Sequence, residues 1–199
     1  MSIANKFSIF FLFMCMFATL IVRAQDDGLP YHTVPSSPEK YSTGALASRM
    51  IDGLGFRLYW ATKDLRPEDI AFRPNKDSRT CLETMEHIYD LSVVIVNATM
   101  STMNNNETVK LSFEDLKKKT LKNLETASAK LRAASDNELK NFVSKFKSDD
   151  KVVEYSFWSL VNGPIEDCVW HAGQIVTFRR LSGNPINEKV NFFTGYVDQ

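Results

Sequence analysis

The sequence predicts an all-α fold, a four-helix bundle, and three observations support this prediction. Four long segments carry apolar residues at the three- and four-residue spacing of a buried helix face. Most of these segments begin at a capping residue or end at a glycine or a proline. No two segments show the alternation of apolar and polar residues that would mark a pair of half-buried strands.

Residues 1–24 are expected to act as a cleaved signal peptide. Lys6 precedes an uncharged apolar run, and Val22-Arg23-Ala24 has the residues typical of a signal-peptidase site. The run has 16 residues, fewer than the roughly 20 that a membrane-spanning helix requires, although an uncleaved anchor is the alternative. We therefore expect an exported protein, periplasmic or extracellular, whose first residue is Gln25.

The composition of the remaining chain gives no reason to expect nucleic acid or a membrane as a partner. Signal cleavage removes two basic residues and no acidic one, which leaves 22 basic and 24 acidic residues. This balance provides no basic excess. The length fits one domain and is compatible with an oligomer. Cys81 and Cys168 could form a disulfide after export, but we expect free thiols, because no adjacent residue lowers their pKa.

Residues 25–41 are expected to form an extended arm, and residues 42–199 the helical domain. Three prolines and two adjacent serines interrupt the arm. The first helix is predicted to begin at Ser42 or Thr43 and to reach about Leu65, because a proline follows two residues later. Its predicted apolar stripe consists of Leu46, Met50, Leu54, Leu58 and Ala61.

The second helix is predicted to begin between Ser78 and Thr80 and to reach about Met103. Thr80-Cys81-Leu82-Glu83 has the pattern of a capping box. Residues 91–96 are apolar almost all round and could form a buried strand. Their continuity with the periodic segment before them favours a buried helix.

Two further long helices complete the predicted bundle. Ser112 is expected to cap a third helix over residues 113–134, whose lysine-rich outer face we interpret as solvated surface. A short helical piece is predicted over residues 138–146. The last helix is predicted to begin at Pro164, since proline is favoured at the first helical position, and to end near Leu181, before a glycine and a proline.

Two histidines in the middle of predicted helices point to a candidate metal site. His87 lies on the second helix, whereas Asp167, His171 and Gln174 share one face of the last helix. Two ligands four residues apart can reach one ion, and a third ligand from a facing helix completes the set. The spacing alone is a weak signal, because a histidine bonded to a carboxylate near a helix start also occurs without metal.

Two segments of the chain resemble the DinB/YfiT-like superfamily. One comprises Phe72-Arg73-Pro74 and Glu83-Thr84-Met85-Glu86-His87, and the other is Trp170-His171-Ala172-Gly173-Gln174-Ile175 followed by Arg179-Arg180. The resemblance spans most of residues 42–185. It implies a four-helix bundle in which a divalent ion is held by one histidine of the second helix and by a pair of histidines on the last helix.

Carried over to this chain, the resemblance makes His87 and His171 metal ligands and puts Asp167 where the family has the first histidine of the pair. Two histidines and one carboxylate suit Zn, Ni, Mn or Fe(II). The same departure could mark a member that has lost its metal. Some members of the family transfer or rearrange substrates joined to low-molecular-weight thiols. Those thiols are cytoplasmic, which argues against this activity in an exported chain.

The sequence therefore supports two hypotheses. The first is an exported metal-dependent enzyme, a hydrolase or a transferase of unknown small-molecule substrate, in which Glu86 or Glu166 serves as a base beside the ligands. The second is a non-catalytic exported bundle that binds a small molecule or a partner and keeps its histidines as packed polar residues. The residues expected around the site are Gln174, Tyr89, Trp158, Trp170 and Phe178.

Overall fold

The computed structural model describes residues 28–105 and 110–198 and shows a mostly helical fold. The predicted signal peptide, residues 1–24, and the predicted start at Gln25 lie outside the described residues. The helices are α1 (Thr43–Thr62), α2 (Pro67–Ile70), α3 (Cys81–Thr99), α4 (Phe113–Ala133), α5 (Asp136–Leu139), α6 (Phe157–Leu160) and α7 (Glu166–Leu181). The strands are β1 (Met103–Asn104), β2 (Ser144–Ser148), β3 (Lys151–Tyr155), β4 (Val190–Asn191) and β5 (Tyr196–Val197). Within the described residues, no helix combines the length and apolarity that a membrane crossing needs.

The four long helices enclose a common apolar core. Helices α1 and α3 each pack against both α4 and α7. Each large aliphatic side chain that is fully buried between them contributes roughly 1.5–3 kcal/mol of hydrophobic stabilisation. The fully buried side chains include Ile51, Leu54, Leu58, Met85, Ile88, Ile95, Leu121, Leu124 and Leu131.

Helix α1 begins where predicted but buries a different stripe in its first half. The Ser42 side chain accepts a hydrogen bond from the backbone of Ala45 and caps the helix. Leu46 and Met50 are 67% and 38% exposed, whereas Ile51 is fully buried. The reason is close packing against α4: a Cβ added to Gly44 would overlap the backbone of α4, so the small residues of α1 face that helix and Leu46 points outward.

Helix α4 has the bounds that the sequence predicted, but one of the lysines expected on its solvated face is buried. Ser112 caps the helix through the backbone N–H of Asp115. Lys118 and Lys119 are exposed, as expected of a solvated face. Lys117, in contrast, is 5% exposed and holds its ammonium 5.7 Å from the centre of the Tyr59 ring. Its long apolar stem packs in the core while the charge meets an aromatic face.

A small sheet corrects the expectation that the chain has no strand pair. Strands β2 and β3 form an antiparallel hairpin, and β1 pairs with β2 in parallel. The helix predicted over residues 138–146 is limited to α5, since β2 begins at Ser144. Helix α3 likewise ends at Thr99, because Ser101 adopts a left-handed conformation (φ 55°) and β1 follows. All five residues of β3 are exposed. Because the strand buries neither face, its sequence lacks the alternation of apolar and polar residues by which a half-buried strand is recognised.

The described part of the N-terminal arm is tied to the helical core. Tyr31 is 5% exposed, and its ring lies against Gly55, where a Cβ would overlap it. The indole of Trp60 donates a hydrogen bond to the carbonyl of His32 at 3.2 Å. The backbone N–H of Val34 donates to a carbonyl of the C-terminal hairpin at 2.9 Å. The arm therefore packs as part of the domain.

Candidate metal centre

His87 is positioned by the capped N-terminal half of α3. The Thr80 side chain accepts from the backbone N–H of Glu83 at 3.1 Å, and the Glu83 carboxylate accepts from the backbone N–H of Thr80 at 2.7 Å. This reciprocal cap is the box that the sequence predicted. Arg73 donates to both oxygens of the same carboxylate. With the start of α3 fixed in this way, His87 follows Glu83 by one turn and faces α7.

The helical segment that carries Asp167 begins at Phe157, earlier than predicted. Helix α6 leads into a π-helical turn, Val161–Ile165, which continues without a break into α7. Pro164 lies inside this turn and not at the first helical position. Its missing N–H and its ring are incompatible with a regular α-helical turn, and the wider turn accommodates them. The same widening rotates α7 relative to α6 and so sets the direction in which Asp167 points.

Asp167 bridges the two histidines. One carboxylate oxygen lies 3.3 Å from Nε2 of His87, and the other lies 3.2 Å from Nε2 of His171. The imidazole centres are 4.6 Å apart and the rings are nearly perpendicular, at 86°. One ligand atom from each residue lies within 4.8 Å of the other two. The structure thus brings together the three residues that the sequence identified as candidate ligands.

The hydrogen bond to Gln174 determines how His171 faces the carboxylate. Nδ1 of His171 lies 2.8 Å from Oε1 of Gln174. An amide oxygen only accepts, so with Oε1 of Gln174 in this position the proton of a neutral His171 ring lies on Nδ1, and Nε2 has a free lone pair. This lone pair and the oxygen of Asp167, 3.2 Å away, are both acceptors. With the Gln174 amide in this orientation, a metal ion between the two acceptors would satisfy both.

The accessibility of the cluster differs between its members. The side chain of His171 is 12% exposed, that of His87 is 30% exposed, and that of Asp167 is 40% exposed. A shallow cavity of about 510 Å³ opens beside His87. An ion bound by these three residues would therefore contact the protein on one side and solvent on the other. A catalytic metal needs such an open position.

The walls of this cavity are polar. The loop before α3 contributes Lys76 and Arg79, and α3 itself contributes Glu86 and Asp90. Burial raises the pKa of the Asp90 carboxyl, and the nearby His87 opposes this shift. Glu86 and Asp90 are therefore acidic residues of the cavity beside His87, whereas Glu166, next to Asp167 on α7, does not line this cavity. The sequence offered Glu86 and Glu166 as bases and could not distinguish them.

The aromatic residues expected around the site do not line this cavity. Trp158 and Trp170 are 72% and 71% exposed. Phe178 packs against Phe72 with 6.0 Å between the ring centres, and Tyr89 is partly buried against the core. Successive helical residues are rotated by about 100°, so Trp170 points away from the face that carries His171.

Arg179, named in the sequence only as part of the family-like motif, is a buried residue near the C-terminal end of α7. It is 4% exposed, and its guanidinium donates to the carbonyls of Trp60, Ala61 and Lys63 at 3.0, 3.3 and 2.7 Å. Its Nε donates to the carbonyl of Asn184 at 2.7 Å. Burial lowers the pKa of Arg179. Arg179 therefore connects the C-terminal end of α7 to the C-terminal end of α1.

The two cysteines of the described chain are free and buried. Burial raises the pKa of Cys81 to about 12 and also raises that of Cys168. The Cys168 thiol faces the carbonyl of Ile88, at 3.9 Å, and not the histidines. Neither thiol belongs to the candidate site.

Comparisons of the chain with protein-family models, with curated proteins and with solved structures found no match.

Proposed function

We propose that the chain is an exported metal-dependent enzyme, a four-helix bundle of the DinB/YfiT-like type, in which His87, Asp167 and His171 hold a divalent ion. The observation that carries this proposal is the approach of three ligand atoms to within 4.8 Å of one another. Ligands of one ion at about 2.0–2.2 Å lie roughly 3–4 Å apart, so small side-chain rotations would complete the set. The orientation of Gln174, with Oε1 towards Nδ1 of His171, supplies a second argument: Nε2 of His171 and the facing oxygen of Asp167 are then both acceptors, and a divalent ion would satisfy both.

The chemistry that fits this set is hydrolysis. A divalent ion bound by two imidazoles and one carboxylate lowers the pKa of a bound water and polarises a carbonyl or phosphoryl oxygen. Gln174 acts as a positioning residue, since its amide oxygen holds Nδ1–H of His171 and directs Nε2 towards the site. Glu86 lies on the cavity wall, where its carboxylate can accept a proton from a reacting group.

A non-catalytic role is the second candidate, because the Asp167 carboxylate reaches Nε2 of both histidines directly. If the Gln174 amide is turned so that its NH₂ group donates to Nδ1, then Nε2–H of His171 donates to Asp167 and no cation is needed. Asp167 would then accept from both histidines and close the network. In that case the bundle would bind a small molecule or a partner without metal chemistry.

Metal content of the purified, untagged protein separates these functions. We expect about one equivalent of a divalent ion after dialysis against Zn²⁺, Mn²⁺ or Ni²⁺. His171→Ala should abolish this binding, and Asp167→His should preserve or strengthen it, because it supplies three imidazoles. Gln174→Leu should weaken binding by about 10–100-fold, and Gln174→Glu should restore it.

His32→Ala is the matched control, since His32 packs against the rings of Tyr59 and Trp60 away from the cluster. This variant should bind metal like the parent protein. Equal metal content in the parent, His171→Ala and His32→Ala proteins would contradict the proposal and favour the non-catalytic role.

A further inference from the structure

The outward side of α7 forms an exposed surface that no element of the chain covers in the described structure. This outer face comprises Glu166, Val169, Trp170, Gly173, Thr177 and Arg180, all exposed. Three- and four-residue steps place them on one side of the helix, opposite the buried Cys168, Ala172 and Ile175. Trp170 and Val169 are 71% and 41% exposed. A tryptophan this exposed is unusual for a surface that contacts only water.

Gly173 lies at the centre of the outer face, and no contact among the described residues accounts for a glycine there. Glycine is among the residues least favourable in a helix interior. A Cβ added to Gly173 would meet no heavy atom within 4 Å, so no close contact inside the described chain requires its small size. A glycine at such a position allows the backbone of another helix to approach closely.

The charges of the outer face are symmetric about this glycine. Glu166 precedes Gly173 by seven residues, and Arg180 follows it by seven. Both lie on the same side of the helix as Gly173, because seven residues correspond to almost two full turns. Among residues 28–105 and 110–198, neither side chain forms an ion pair.

We propose that the outer face binds a second copy of this chain, with the two α7 helices packed antiparallel across a two-fold axis at Gly173. This arrangement sets Glu166 opposite the partner's Arg180, and the symmetry repeats the ion pair at the other end. Val169 then lies opposite the partner's Thr177. The two glycines meet at the crossing, and each Trp170 covers the helix of the other copy.

The charge pattern favours a second copy over an unrelated partner. Glu166 and Arg180 lie at equal distances on either side of Gly173. When a second copy of the helix is reversed about that point, each glutamate faces an arginine, as a two-fold interface requires. The ligand face of α7, with Asp167 and His171, points to a different side, so the dimer leaves the metal centre accessible. One helix pair buries an area near the lower limit for stable complexes, so we expect a dimer that dissociates on dilution.

Sedimentation velocity of the purified protein from about 2 to about 200 µM tests the proposal. The mass should rise from one chain to two across this range. Glu166→Arg and Arg180→Glu should each weaken association at least about 10-fold, because each places like charges opposite one another. The double variant Glu166→Arg/Arg180→Glu should restore association, since the ion pairs re-form with exchanged signs.

Gly173→Leu should abolish the dimer while the circular dichroism of the monomer is retained, because position 173 is exposed and an added Cβ meets no heavy atom of the described chain within 4 Å. Lys118→Glu, a charge reversal on the exposed side of α4, is the control and should leave the association constant unchanged. A chain that stays monomeric at about 200 µM would overturn the proposal. So would a dimer that Gly173→Leu leaves intact or that the charge exchange does not rescue.

Discussion

Arg179→Met removes the guanidinium that joins the ends of α1 and α7, and we expect a large loss of stability. Methionine preserves most of the apolar stem but donates no hydrogen bond. The carbonyls of Trp60 and Ala61, which are buried, lose their donor. An unsatisfied buried acceptor costs about 1–3 kcal/mol, so the two together cost roughly 4 kcal/mol. The carbonyl of Lys63 is partly exposed and can bind water instead.

Part of this cost is offset, because a charge whose burial is unfavourable has also been removed. We therefore expect a net loss of about 3 kcal/mol in the free energy of unfolding. Urea unfolding followed by circular dichroism should show a midpoint lower by about 1.5 M, for a slope of roughly 2 kcal/mol/M. The control is Arg57→Met, where an exposed arginine donates to the carbonyl of Gly53 and the loss should stay within about 0.5 kcal/mol. Equal midpoints for the two variants would refute the reasoning.

Two further predictions concern buried thiols and a buried carboxylate. Cys81 and Cys168 should resist alkylation in the folded protein and react fully after unfolding, as mass spectrometry would show; reaction of either thiol under native conditions contradicts their burial. The Arg66 guanidinium holds the pKa of the Asp69 carboxyl well below its usual range. The pKa of the Asp69 carboxyl in the unfolded chain is about 4. The pair therefore stabilises the folded protein fully above that pH, and the stabilisation is lost as the pH falls towards the lower pKa of the folded state. Arg66→Gln should lower the urea midpoint at pH about 6 and by a smaller amount at pH about 2, because the stabilisation declines steadily below the unfolded pKa; an equal difference at both values would contradict the assignment.

The features predicted correctly from the sequence are those that depend on neighbouring residues. The caps at Ser42, Thr80 and Ser112 are formed by side chains that bond backbone groups three residues ahead, so the local sequence contains the whole interaction. The bounds of α4 follow for the same reason. Pro164 was predicted to be the first residue of the last helix, because proline is favoured there. In the structure it lies inside the π-helical turn, which also accommodates a proline.

The features that were missed depend on residues far apart in the chain. Asp52 is 1% exposed and accepts hydrogen bonds from the Ser128 hydroxyl and the Arg132 guanidinium, which lie 76 and 80 residues away. No spacing within α1 reveals such a partner. The same holds for Arg179 and the end of α1, and for the choice of Ile51 instead of Met50 as a core residue, which the position of α4 decides.

The candidate site was predicted in part, because some of it depends on neighbouring residues and some on residues far apart in the chain. The four-residue spacing put Asp167 and His171 on one face of a helix, and His87 was proposed as the third ligand from its position in the middle of a second helix; the resemblance to the DinB/YfiT-like superfamily implied the same positions. The structure brings the three side chains together across α3 and α7. Of the cavity walls, Glu86 was proposed beside the ligands, whereas Lys76 and Arg79 were not, because they belong to the polar loop before α3.

The most direct test of the metal centre is a crystal structure of the protein soaked with Zn²⁺ and measured at the zinc absorption edge. We expect one strong anomalous peak within about 2.0–2.2 Å of Nε2 of His87, Nε2 of His171 and a carboxylate oxygen of Asp167. Gln174 should keep its hydrogen bond to Nδ1 of His171. A soaked crystal in which this position has no peak, while the three side chains keep the distances of 3.2 and 3.3 Å between nitrogen and oxygen, would contradict a metal-dependent function.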